Sequence, residues 1–215
     1  MDAIGVREAL FAVAERIANR GYYVLTPDLF YRAGPYVALT PVELFGDPDK
    51  RTAWFSKYVS TINVDNVMSD VSSFLDFLSG QKEVLQPKVG TTGYCMGGRL
   101  SLLAAGHFPE RIAAAASYHG GNLATDSPES PHLLAPRMKA RVYVAGAVED
   151  AMFSDEQKQR LEEAFTAAGI AHTIETYAGA RHGWVTSDTP VHDPAAAERH
   201  FSTLLSLFDA TLRNR

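Results

Sequence analysis

The stretch Lys88-Val89-Gly90-Thr91-Thr92-Gly93-Tyr94-Cys95-Met96-Gly97-Gly98 decides how the chain is read. Residues 88 to 94 predict a buried strand, and Met96 to Phe108 predict a helix that follows it directly. Cys95 therefore stands at a sharp strand-to-helix turn flanked by Gly93 and Gly97, the G-x-C-x-G form of a nucleophile elbow. Both glycines have a steric reason, because a Cβ at either place would collide inside the turn. The turn leaves the Cys95 sulfur at a helix N-terminus, where the positive end of the macrodipole favours a thiolate. It also aims the Met96 N–H at a developing oxyanion. A free cysteine is more often a small buried apolar residue; the strand-helix context is what makes Cys95 a candidate nucleophile.

The pattern alternates on both sides of this turn. Upstream, Val6, Ala9, Leu10, Val13, Ala14 and Ile17 recur at helical spacing with Gly21 as the stop, and Tyr22 to Thr26 reads as a short strand closed by Pro27. Residues 28 to 60, rich in Pro, Gly, Asp and aromatics, contain a short helix around Arg51 to Val59, and Val64 to Leu78 is a longer one closed by Gly80. Downstream come strands at Ile112 to Tyr118, Arg141 to Gly146 and His172 to Tyr177. The helix between the last two runs from about Asp155 to Ala168, with Ser154 and Gln157 as a capping box, and a final helix begins at Pro194 behind Asp193. Strands separated by helices imply a three-layer α/β/α sandwich with a doubly wound, mostly parallel sheet. The 215 residues suit a single domain, 1–215.

Composition removes several classes. Apolar residues make up 46% of the chain, and 20 Lys and Arg against 25 Asp and Glu leave a net charge of −5 with no basic stripe, so nucleic acid is not an expected partner. One cysteine excludes an intrachain disulfide or thiolate cluster and suits a reducing compartment. No run reaches the roughly 18 apolar residues of a membrane span, and the start MDAIGVREAL lacks a basic leader. The expectation is a cytoplasmic protein with no membrane partner; composition leaves the oligomeric state open.

In parallel sheets of this kind ligands bind beyond the carboxyl ends of the strands. That rule selects Asp28 to Arg32, Cys95, His119, Glu149, Asp150 and Arg181 to Trp184. An elbow nucleophile needs a base and an orienting acid in the chain order nucleophile, acid, base. His182 falls where the base belongs and Asp150 where the acid belongs, with Glu149 as its rival; Asp155 is better explained as the first turn of a helix. Tyr31, Arg32, Tyr36, His119 and Trp184 are candidate substrate-binding residues, Arg32 as a partner for a carboxylate and Trp184 as a wall beside the base. Arg99 reads equally well as a surface ion-pair partner.

The motifs GYCMGGR, AGAVED and YAGARHGW, with NRGYYVLTPDLFYRAGPY near the start, resemble the dienelactone hydrolase family of α/β-hydrolases over almost the whole chain. The resemblance implies a cysteine hydrolase of esters, lactones or related acyl compounds, with no metal and no organic cofactor. It carries Cys95, His182 and Asp150 over as nucleophile, base and acid. It also assigns Asp2 as an acid close to the resting cysteine, where glutamate is more familiar, and Ala3 as the second oxyanion N–H beside Met96. The family's dienelactone-opening enzyme holds its substrate carboxylate with arginines, one shortly after the histidine; here Gly183, Trp184, Val185 and Thr186 follow His182.

The expected activity is therefore cleavage of an ester or lactone of a small carboxylic substrate through an acyl-enzyme. The rivals are a non-catalytic binding or scaffold protein on the same fold, and a thioesterase or peptidase using the same triad. A hydrolase sheet also needs a strand feeding the loop that bears Asp2 and Ala3, so roughly 30 residues with the early strands are expected to lie before Met1, their absence leaving an open slot in the sheet.

Overall fold

The computed structural model describes residues 1–85 and 88–213. Helix α1 (Glu8–Ala18) buries Leu10, Val13 and Ile17, the stripe that helical spacing marks out. Two short helices follow, α2 (Pro41–Gly46) and α3 (Pro48–Lys57), then α4 (Val64–Ser79), capped by the Asn63 side chain. From there the chain alternates: β1 (Val89–Tyr94), α5 (Met96–His107), β2 (Ile112–Tyr118), β3 (Arg141–Gly146), α6 (Asp155–Ala167), β4 (His172–Thr176) and α7 (Pro194–Phe208). Asp193 caps α7 through the N–H groups of Ala195 and Ala196, as the Asp-Pro pair predicts.

The four strands pair in the order β1-β2-β3-β4, all parallel. Strand alternation separates the two helical layers. On one face of β1, the Thr91 hydroxyl hydrogen-bonds Ser101 of α5; on the other, Gly90 lies against Phe208 and the Tyr94 hydroxyl meets His200, both of α7. Helix α1 joins the α7 layer, where the Arg16 guanidinium stacks on Phe201. Central β2 is closed to water on both faces, its Ala114-Ala115-Ala116 run fully buried, as parallel strands between helices require. No helix among the described residues is long and apolar enough to cross a membrane.

Two sequence expectations need correction. Tyr22 to Thr26 is not a strand. It lies across a cavity of about 600 Å³ from residues Val89–Thr92, and with no strand alongside it cannot form the ladder that would define one. Ser154 caps α6 by accepting from the Gln157 N–H, but the Gln157 side chain does not return the bond: its amide spans the Ala124 N–H and the Met152 carbonyl. A long-range tie has replaced half of a local capping box.

Candidate active site

Cys95 is held at φ +54° and ψ −119°, a left-handed conformation that costs a non-glycine residue about 1–3 kcal/mol. The elbow's glycines are forced by contact. A Cβ on Gly93 would fall on the Gly97 carbonyl, and one on Gly97 would fall on the Met1 carbonyl oxygen. The N-terminal loop therefore packs directly on the elbow. The Cys95 N–H donates to the Tyr118 carbonyl and to His119 Nδ1, each at 3.2 Å. Met96 opens α5, so its N–H is one of the first-turn donors that have no acceptor within the helix.

His182 Nδ1 lies 2.7 Å from Asp150 Oδ2, and Asp150 Oδ1 accepts from the Met152 N–H at 3.0 Å. The neighbouring Glu149 is exposed with φ +51°, so the bend that presents Asp150 to the histidine turns its rival into solvent. Burial alone would lower the His182 pKa; the Asp150 carboxylate and the adjacent Cys95 outweigh it and push the imidazole up to about 10. Burial likewise raises a carboxyl's pKa, yet His182 holds Asp150 below its ordinary value. His182 Nε2 is buried without an aligned hydrogen-bond partner.

These groups open on one cavity of about 490 Å³, lined by Asp2, Ala3, Cys95, His119 and His182 together with α2 and the segment from Gly183 to Val191. Asp2 is buried, only 5% exposed, so it is no frayed terminus. The expected contact with the thiol is not made: Asp2 Oδ1 accepts from the Ile4 N–H and from Arg7 Nη1, both at 2.9 Å. Arg7 reaches on to Asp188 at 2.6 Å and to the Thr186 hydroxyl, tying the first loop to the loop after His182. The Arg7 guanidinium, facing two carboxylates, has captured the acid that the sequence offered to Cys95.

Among the substrate-binding candidates, only His119 lines this cavity. It is buried at φ +39°, its Nδ1 accepts from the Cys95 N–H, and desolvation holds its pKa well below the ordinary histidine value. The neutral ring therefore carries its proton on Nε2, which has no partner. Trp184 is fully buried behind the pocket, its ring packed on His119 and Tyr177, so it supports the wall instead of forming it. Arg32 and Tyr31 are engaged by Asp70 of α4. Tyr36 packs under Gly5, accepting from the Val6 N–H and donating to Asp28, both at 3.0 Å. Its role is to brace the loop that bears Ala3.

Sequence reasoning missed α2, which supplies Pro41, Val42, Phe45 and Gly46 to the cavity. The signal was present in Thr40-Pro41-Val42-Glu43: the structure has Pro at the first helical position and a reciprocal capping box between Thr40 and Glu43. Thr189, Pro190 and Val191 were also missed, and no local pattern marks them. Among the described residues no group of three or more His, Cys, Asp or Glu side chains is placed to hold a metal ion.

A family model described as the dienelactone hydrolase family matches residues 1–212. The chain belongs to the dienelactone hydrolase family. A Methylorubrum extorquens protein, provisionally named a carboxymethylenebutenolidase, is 29% identical over 211 residues, covering 96% of this chain and 69% of that protein. A Synechocystis protein of the same provisional name is 24% identical, covering 99% of this chain and 84% of its own. The crystal structure of a provisionally assigned dienelactone hydrolase from Klebsiella pneumoniae superposes with a TM-score of 0.81 at 22% identity, covering 96% of this chain and 83% of the other. A dienelactone hydrolase-like promiscuous phosphotriesterase from metagenomic libraries gives 0.75 at 21% identity, covering 98% and 83%. The family and the fold, an α/β-hydrolase type with a parallel sheet flanked by helices, make this chain a hydrolase of the ester and lactone type.

Proposed function

We propose that this dienelactone hydrolase-family protein cleaves a small carboxylic ester or lactone through an acyl-enzyme on Cys95. The observation that carries the reading is the 2.7 Å bond between Asp150 and His182, whose ring lines the same cavity as Cys95. His182 Nε2 holds the proton as the Cys95 sulfur attacks the carbonyl carbon. The N–H groups of Met96 and Ala3 hold the tetrahedral oxyanion, and the carbon–oxygen bond breaks as the leaving alkoxide takes the proton from Nε2. Water then gives a proton to Nε2 while its oxygen attacks the thioester, and the sulfur departs to release the acid. Asp150 fixes the tautomer and steadies the imidazolium throughout. His119 lines the cavity and steadies the elbow by accepting the Cys95 N–H at Nδ1. Asp2, clamped by Arg7, shapes the oxyanion loop.

The test is turnover of a small aryl ester, p-nitrophenyl butyrate, by the wild-type chain and by Cys95→Ala. Loss of turnover in the variant, with a thiol-directed ester probe labelling Cys95 only when His182 is intact, supports the reading. Cleavage by Cys95→Ala at the wild-type rate overturns it.

A further inference from the structure

The cavity around Cys95 has a chemical bias set by its wall. Ile4, Pro41, Val42, Phe45, Pro190 and Val191 give it an apolar side. Val42 and Phe45 are 62% and 53% exposed, yet α2 is firmly placed: Leu44 and Pro41 are buried beneath it and the Thr40–Glu43 box closes its start. Two large apolar side chains held in water at the rim of an enzyme cavity mark a surface that gains by being covered.

The charged groups point the same way. Asp2 brings a carboxylate to the wall, and the nearest guanidinium, Arg7, is divided between Asp2 and Asp188, which leaves that trio with an excess negative charge. Arg32 is bound to Asp70 and stands outside the cavity. The imidazole of His182 already has Asp150 on one side and Cys95 on the other. His119 is neutral, and the Thr189 hydroxyl donates within its own loop, to the Gly183 carbonyl at 2.8 Å. A substrate carboxylate entering here would lose its water beside Asp2, and each cation within reach is already paired.

We propose that the site selects uncharged esters or lactones whose apolar substituent lies against Val42 and Phe45, and discriminates against substrates that carry a carboxylate. This rests on the hydrolase reading above and adds the substrate class to it.

The experiment compares p-nitrophenyl butyrate with p-nitrophenyl hemisuccinate, which share a leaving group and acyl length and differ by a terminal methyl against a terminal carboxylate. The expected kcat/KM for butyrate exceeds that for hemisuccinate by about a hundredfold. Phe45→Lys should narrow that ratio at least about tenfold, mainly by raising KM for butyrate and lowering it for hemisuccinate. Hemisuccinate cleaved as well as butyrate, or a ratio unmoved by Phe45→Lys, overturns the substrate class and leaves the hydrolase standing. Turnover of neither ester by the wild-type chain overturns both.

Discussion

The carboxylate of Asp2 and the guanidinium of Arg7 form an ion pair at 2.9 Å whose two side chains are only 7% and 9% exposed. The pair spans a loop turn next to the elbow and extends through Asp188 to the loop that follows His182. It thus joins the loop that bears Ala3 to the loop that follows His182.

Removing one member of a buried pair strands the other charge. Arg7→Met is expected to destabilise the fold by about 3–5 kcal/mol, and the double variant Asp2→Asn/Arg7→Met by less than the sum of the single changes, with a coupling of about 1–3 kcal/mol. Denaturant titration of the four proteins closes the cycle. Strict additivity would show that the two side chains do not support one another.

The bond between Asp150 and His182 makes stability depend on pH with a definite sign. His182 is raised from 6.5 to about 10, so its contribution is complete below 6.5 and is lost as pH climbs toward 10. Asp150 is lowered from 3.8, so its contribution is present above 3.8 and is lost as pH falls below that value. The stability gap between wild type and Asp150→Asn should therefore be widest between 3.8 and 6.5 and shrink toward both extremes. Denaturation midpoints measured across pH test this, and a gap that grows from neutral pH toward 10 would contradict it.

The Trp54 indole N–H donates to the Ala3 carbonyl at 2.9 Å inside the protein. Trp54→Phe keeps most of the ring packing but leaves that carbonyl unpaired, at an expected cost of about 1–3 kcal/mol in thermal or denaturant stability. Because the peptide so anchored belongs to the loop proposed to supply the second oxyanion donor, kcat for p-nitrophenyl butyrate should fall about tenfold with little change in KM. A variant that loses stability but keeps kcat would separate Trp54 from the positioning of Ala3.

Local pattern served well where the physics is local. The strand at Ile112 to Tyr118 and the start of the last helix at Pro194 were legible, because a buried apolar run and an Asp-Pro cap act within a few residues. So was the approach of Asp150 to His182 beside Cys95, since an elbow and the strand ends that follow it have a set chain order. Tyr22 to Thr26 failed because a strand is defined by the neighbour it pairs with, and none of the four strands of the sheet pairs with it. Tyr31, Arg32 and Tyr36 were chosen by their position on a loop after an expected strand. Asp70, Asp28 and the Val6 N–H, from eight to 39 residues away, had already claimed them.

What the sequence determined by itself is the geometry at Cys95: the glycines, the strand-helix junction and the chain order of Cys95, Asp150 and His182 follow from steric rules that act along the chain. What only the tertiary structure decided is how charge is shared out around that chemistry. Arg7 could have faced solvent, and Asp2 could have faced the thiol. Folding set Arg7 between Asp2 and Asp188 and left apolar α2 at the cavity's rim, because a buried charge takes the opposite charge that packing brings nearest, whatever its distance in sequence.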